Sequence, residues 1–373
     1  MKLYQKILVF LLSVLSFSIA KAQQSDGMKW FNPVSSPYPV LKGKYWESKD
    51  TINFYNRLPS YAKDSVRLAV WNLAKQTAGE YIDFYTNAGK IVVRYQCGNP
   101  YLIFDGMSKI STNGLDMHVQ DESGKWHFIN GFHSFKDTIS FTCDNIDPKV
   151  KVKRFRLYLP LHNFPKWLEI GVVKNADFKV EAASVEKPIV FYGTSIMQGG
   201  STSRHGLTWF SILGRRIDQP MINLGFSGNG RLEKPIINLI NTIDAKIFVL
   251  DCQPNLIVYS QNDENEIAKK ITLAVETLHQ KHPKTPILLT EHSGSLPDIT
   301  LDTSLAKPYN KTSAVLSGTY QKLKKVIPNL HLLAAKEIGF TYESTGDGTH
   351  PNDIGMMQYA NAYEKAIHRI LGK

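Results

Sequence analysis

Three cysteines in 373 residues, Cys97, Cys143 and Cys252, are too few and too scattered for a disulfide scaffold or a zinc site. Cys97 and Cys143 can pair in an oxidising compartment or stay reduced and buried; both arrangements remain open. No apolar run reaches the roughly 20 residues of a membrane span, so stable membrane insertion is not expected. The glycines fall in neither a dinucleotide fingerprint nor a P-loop order, and there is no HExxH or other metal-ligand cluster. No metal and no cofactor are therefore expected. Internal repeats and low-complexity tracts are also missing.

Charge is modest and basic, +11 in formal terms. The densest basic run, Lys149 to Arg156, ends by alternating charge with Phe155, Leu157 and Leu159, the pattern of a strand with one wet face. Recognition of nucleic acid needs clustered basic residues interleaved with aromatics on one element, so no nucleic-acid partner is expected. Residues 1–22 place Lys2 and Lys6 before the apolar run Ile7 to Leu12 and close on Ala20-Lys21-Ala22, a small-x-small site. This is the form of a secretory signal peptide. The mature chain is expected to be exported, periplasmic or secreted, with a charge of +8 once Lys2, Lys6 and Lys21 are removed.

The remaining length suits two domains, with a compositional break near residues 181–187. Before it, Tyr81 to Tyr85, Lys90 to Tyr95, Thr138 to Thr142, Arg154 to Leu159 and Trp167 to Val172 are short strand-like runs separated by turn signals. They predict a β-sandwich over residues 25–182. After it, the apolar runs Ile189 to Tyr192, Met221 to Leu224, Ile247 to Leu250 and Ile287 to Leu289 alternate with helical spacings. Phe210, Leu213 and Ile217 form one such stripe, Ile267, Ile271, Val275 and Leu278 another. This alternation predicts a parallel sheet with helices on both faces over residues 186–373.

The run Ile189 to Tyr192 delivers Ser195 onto a glycine-flanked turn at the carboxyl end of a strand, where open α/β sheets place their sites. Ser195 reads as a nucleophile or as a helix cap. A nucleophilic serine needs a base and a group that orients the base. Asp347-Gly348-Thr349-His350 offers both, provided the loop folds back on itself. Acyl transfer also needs hydrogen-bond donors aimed at the tetrahedral oxyanion. The loop Asn223 to Gly230 can present the Gly228 backbone N–H, and Asp251 to Asn255 can aim the Asn255 side chain at the same point.

These four blocks resemble those of the SGNH/GDSL hydrolase superfamily. Gly-Thr-Ser-Ile stands here for GDSL, and Gln253-Pro254-Asn255 replaces the commoner Gly-x-Asn-Asp. The wording is closest to a two-domain subfamily whose N-terminal β-sandwich carries a Gly-x-Asp-Leu-Tyr motif, matched here by Gly114-Leu115-Asp116-Met117-His118. The resemblance implies a flavodoxin-like three-layer α/β/α hydrolase domain preceded by a jelly-roll-like sandwich. It implies Ser195 as nucleophile and first oxyanion donor, Gly228 and Asn255 as the other donors, His350 as base and Asp347 as its orienter. The Met at position 197 excludes the Gly-x-Ser-x-Gly elbow of α/β-hydrolases. The expectation is an exported serine esterase acting on O-acetyl groups of poly- or oligosaccharides, with Gln198, Arg204 and Glu291 proposed as substrate contacts. The alternatives are an acyltransferase or small-lipid acylhydrolase using the same site, and a non-catalytic carbohydrate-binding protein.

Overall fold

Alternation builds the first half. In the strand Ile91–Cys97 every second residue is buried, and Ile139–Cys143 repeats the pattern beside it. The computed structural model of the chain describes residues 27–99, 101–104, 106–147, 153–217, 219–292 and 303–373. The expected signal peptide, residues 1–22, and the first half of the basic run, Lys149 to Val152, lie outside them. One antiparallel sheet runs in the order Met28–Phe31, Pro165–Val173, Ile91–Cys97, Ile139–Cys143, Phe132–Ser134. The other runs Phe178–Val180, Tyr81–Thr86, Lys153–Tyr158, Asp116–Gln120, Trp126–Ile129, with Leu41–Lys42 beside Tyr81–Thr86. Ile82, Phe84, Phe155 and Leu157 of the second sheet share one core with Ile91, Val93, Phe141 and Ile170 of the first, which makes the pair a sandwich. Cys97 and Cys143 are free and buried, at opposite ends of adjacent strands: Cys143 pairs with Ile91, not with Cys97.

Continuous apolar runs build the second half. Five parallel strands lie in the order Met221–Gly225, Ile189–Gly193, Ile247–Asp251, Ile287–Thr290, Leu330–Leu333. Both faces are covered, which is why the strands read as unbroken apolar stretches. Val190 and Tyr192 enter one core, packed under the helices Lys234–Ile240 and Gln261–Lys281. Ile189 and Phe191 enter the other, under Trp209–Arg216 and Asp353–Leu371. The chain order reverses between the first and third strands, leaving a crevice at their carboxyl ends.

The two halves are joined more intimately than the strand pattern indicates. Trp46, Leu58, Val70, Trp71 and Ala74 pack in the same core as Val190, Leu224 and Ile240. The segment that precedes the main sandwich strands therefore completes the helical layer of the parallel sheet. Arg57, Glu80 and Tyr55 are buried near this junction. Burial pushes the Glu80 carboxyl up to about 8 against the opposing pull of Lys44 and Arg57, and among the described residues neither of its oxygens has a hydrogen-bond partner.

That shift has a sign. An unfolded glutamate titrates near about 4.3, so between there and about 8 the folded chain holds a proton that the unfolded chain has released. Stability then falls as pH rises through that window. Thermal melts between about pH 5 and about pH 9 should show the decline, and Glu80→Gln, neutral throughout, should flatten it by a few kcal/mol across the range. An unchanged slope in the variant would remove Glu80 from the explanation.

Candidate active site

The strand Ile189–Gly193 ends at Gly193, and Thr194 caps the four-residue helix Ser195–Gln198 by accepting a hydrogen bond from Ile196 N–H. The caps at both ends hold Ser195 on the first position of that turn, with Gly199 in the left-handed region at the other end. Ser195 Oγ lies 2.8 Å from His350 Nε2, and His350 Nδ1 lies 2.6 Å from Asp347 Oδ2. A side chain at Gly200 would come within 3.2 Å of His350 Cδ2, so glycine there leaves the imidazole room beside the serine.

The three-residue spacing of Asp347 and His350 follows from a side-chain turn. Asp347 Oδ1 accepts the backbone N–H groups of Thr349 and His350, at 2.9 and 2.7 Å, which folds the chain back and leaves Oδ2 for the imidazole. Gly348 supplies the positive φ of +78° that the turn requires. Thr345 Oγ1 donates to the His350 carbonyl at 2.8 Å, and Asn352 caps the helix that follows. Burial alone would raise the Asp347 pKa, but the hydrogen bonds from the His350 ring and from the two backbone N–H groups outweigh it. The carboxyl sits well below the usual carboxylate range. A permanently charged carboxylate on Nδ1 leaves Nε2 as the lone pair facing the serine hydroxyl.

The loops expected to supply further donors leave neighbouring strand ends: Gly193 is paired with Gly225 on one side and Asp251 on the other. Gly230 N–H donates to Asn255 Oδ1 at 3.0 Å, which fixes the oxygen of that amide on the loop. A side chain at Gly230 would strike the Gly193 carbonyl at 2.5 Å, so the close approach of the loops depends on glycine. Gly228 has a φ of +67°. Among the described residues, Ser195 N–H, Gly228 N–H and Asn255 Nδ2 have no hydrogen-bond partner. Such an arrangement can move a proton from the serine hydroxyl to the imidazole and offer three donors to a developing oxyanion.

The three expected substrate contacts are placed otherwise. Gln198 is fully buried; its Oε1 accepts Ser227 N–H at 2.8 Å, and its Nε2 contacts Gln76 Oε1 and His162 Nδ1. Arg204 Nη1 donates to Asp116 Oδ2 at 2.6 Å, and its guanidinium lies over the Phe128 ring at 3.9 Å. Glu291 accepts from Ala335 N–H at 2.9 Å and from Ser317 Oγ. All three bond to other elements of the chain and brace them. The Arg204 contact also explains the Gly114 to His118 motif. Asp116 Oδ2 takes Arg204 and the Gly206 N–H, anchoring the loop after the serine helix to the sandwich. His118 is buried, with the Phe128 and Tyr158 rings 5.9 and 5.7 Å away. His292, at the end of Ile287–Thr290, is buried against Tyr309 at 4.3 Å. Sequence patterning gave no sign of His162, Gln76 or Arg57, whose contacts reach the loops of the site across more than a hundred residues in two of the three cases.

A parallel sheet between two helical layers, with serine, histidine and aspartate linked at its carboxyl edge, defines an ester hydrolase of the SGNH type. Residues 186–368 match the model of the GDSL-like lipase/acylhydrolase family, and residues 28–178 match the N-terminus of SGNH-hydrolase-type esterases. The chain belongs to that family and carries that N-terminal domain. Among solved structures, a GDSL-like lipase from Bacteroides ovatus ATCC 8483 is 29% identical, with a TM-score of 0.82 over 92% of this chain and 98% of that one. A salicylyl-acyltransferase from a tetracycline biosynthetic pathway is 17% identical, with a TM-score of 0.70 over 93% and 98%. An acetyl xylan esterase from the rumen bacterium Butyrivibrio proteoclasticus is 11% identical, with a TM-score of 0.57 over 92% and 99%. No curated protein sequence matches. No described helix is long and apolar enough to cross a membrane.

Proposed function

We propose that the protein is an exported serine esterase that removes O-acetyl groups from poly- or oligosaccharides. The observation that carries the reading is the hydrogen-bonded chain from Ser195 Oγ through His350 to Asp347, at 2.8 and 2.6 Å. Ser195 Oγ attacks the ester carbonyl as its proton passes to His350 Nε2. The negative charge on the carbonyl oxygen is met by Ser195 N–H, Gly228 N–H and Asn255 Nδ2. Collapse of the tetrahedral intermediate breaks the C–O bond to the sugar; His350 returns the proton to the departing alkoxide, leaving acetyl-Ser195. Water, deprotonated by His350, then releases acetate and restores the serine.

Carbohydrate as the acyl carrier is favoured by fold-level likeness to the acetyl xylan esterase and to a family two carbohydrate esterase of Clostridium thermocellum whose structure holds cellohexaose (TM-score 0.52). Residues 1–22 support export. The N-terminal half also offers exposed apolar surface: Tyr101 and Phe104 are 80% and 37% exposed, and the Phe104 ring lies 5.3 Å from His162, the partner of Gln198. A sugar chain packed on Phe104 would lose that contact in Phe104→Ala. KM for an acetylated oligosaccharide should rise about threefold to tenfold while p-nitrophenyl acetate turnover stays within about twofold. Equal loss on both substrates would place Phe104 in the support of the site instead.

The direct test of the reading is acetate release from a panel of acetylated plant and microbial polysaccharides, wild type against Ser195→Ala. Release by the wild type alone supports it; binding of glycan by both proteins with release by neither contradicts it. Transfer to a non-water acceptor is a second reading, favoured by the likeness to the salicylyl-acyltransferase along almost the whole chain. Product analysis with competing alcohols separates the two.

A further inference from the structure

Gln198, His162 and Arg57, all buried, form one network behind the serine with the part-buried Gln76, and nothing in the triad accounts for it. Ser227 N–H is a donor only, so it fixes Gln198 Oε1 toward itself, at 2.8 Å. The Nε2 group then faces two acceptors. One is Gln76 Oε1; the other is His162 Nδ1, at 3.1 Å. His162 is buried, and that burial, reinforced by the nearby His205, lowers its pKa to about 3, which leaves the ring neutral and able to accept. Both N–H groups of the Gln198 amide and one lone pair of its oxygen are thus taken up inside the protein.

Gln76 has a second task. Its backbone carbonyl accepts Arg57 Nε at 2.7 Å, and Arg57 is 1% exposed. Nη2 donates to the Leu73 carbonyl at 2.8 Å, and Nη1 holds the other side of the same loop: it donates to the carbonyls of Asn223 and Gly225, at 3.2 and 2.9 Å, and the group lies 4.9 Å from the centre of the Phe226 ring. Residues 223 to 227, the approach to Gly228, are therefore gripped by two side chains that meet at Gln76. Gln76 follows the helix Leu68–Ala74, and His162 follows the strand Lys153–Tyr158. Both partners of Gln198 come from the N-terminal half of the chain.

We propose that Gln198, locked by Gln76 and His162, is a positioning residue for the oxyanion loop: it fixes Ser227 and so determines where the next N–H, that of Gly228, points. This rests on the reading of Ser195 and Gly228 given above and assigns the N-terminal domain a part in catalysis besides substrate contact. Glutamine suits the place because one amide both accepts from the loop and donates twice to the domain behind it. Methionine would fill the same volume and make none of the three bonds. Glutamate would keep the acceptor for Ser227 and lose the two donors.

The experiment compares wild type, Gln198→Met, Gln198→Glu, Asn255→Ala and Ser195→Ala in p-nitrophenyl acetate kinetics, thermal melts and binding of phenylboronic acid, which forms a tetrahedral adduct on a reactive serine. In Gln198→Met, kcat should fall about tenfold to a hundredfold, the scale of a small misplacement of a reacting group, with KM within about twofold. Boronate affinity should fall in parallel with kcat, as in Asn255→Ala, and Gln198→Glu should recover part of both. Wild-type kcat and boronate affinity in Gln198→Met would overturn the proposal. So would a joint loss of kcat, KM and melting temperature, which a packing defect alone would produce. Wild-type turnover in Ser195→Ala would overturn the nucleophile assignment and this proposal with it. An inactive Ser195→Ala beside an unaffected Gln198→Met would overturn this proposal alone.

Discussion

Replacing Ser195 with alanine is expected to lower kcat on any ester substrate by about 10^5-fold or more while leaving the melting temperature close to that of the wild type. Only one oxygen is removed, and that oxygen makes no bond on which the fold depends. Its partner is His350 Nε2, at 2.8 Å; the backbone of Ser195 continues to accept from Gly199 and Gly200, and the Thr194 cap stays in place. With the donors around the oxyanion intact, a weak residual rate from positioned water is all that remains. Steady-state kinetics on p-nitrophenyl acetate, beside a melt of the same preparation, checks both halves of the expectation. A variant that keeps more than about a hundredth of wild-type kcat would mean that the acyl group is carried elsewhere.

Asp347→Asn should cost about 10^4-fold in kcat, for a different reason. The two oxygens of Asp347 have separate tasks: Oδ1 takes two backbone N–H groups and shapes the turn, and Oδ2 takes the imidazole. Asparagine can keep the turn only by giving its single oxygen to the backbone. Its NH2 then donates to Nδ1 and forces the ring proton onto Nε2, where it faces Ser195 Oγ and blocks the base. The fold should survive while the tautomer is wrong. The ionised Asp347 also adds a little stability that is present above the ordinary aspartate range and lost as pH falls through and below it; with half of its side chain exposed, that contribution is small. Kinetics of the variant, with melts at neutral and acid pH, test both statements. Near wild-type kcat in Asp347→Asn would mean that another group orients His350.

The parts of the site that were readable in the sequence are those made by short stretches of chain. The Asp347 to His350 turn is closed by hydrogen bonds within four residues, so its spacing is itself the signal. The apolar run ending at Gly193 reflects a strand covered on both faces. The partners of Gln198, Arg204 and Glu291 were not legible, because an amide, a guanidinium or a carboxylate beyond a strand end looks the same whether it faces a cleft or a neighbour. Their neighbours Gln76, Asp116 and Ala335 lie 122, 88 and 44 residues away. The fifth strand, Leu330–Leu333, is only half-buried at His331 and Leu332, so it lacks the unbroken apolar run that marks the equally short Ile287–Thr290. The helix Thr303–Leu323 carries Pro308 inside it, which reads as a breaker; Thr312 Oγ1 donates to the Pro308 carbonyl at 2.9 Å and holds that turn. The sharing of residues 46 to 74 with the hydrolase core was equally hidden, because apolar residues do not declare which core they enter.

Acyl transfer through Ser195 can be caught by rapid acid quenching of the enzyme during turnover of an acetylated oligosaccharide, followed by peptide mass spectrometry. One added acetyl group is expected on the peptide that contains Ser195, absent in Ser195→Ala and accumulating in preparations where water attack is slowed. Turnover that continues with no acetyl on that peptide, or with acetyl on another residue, would contradict it.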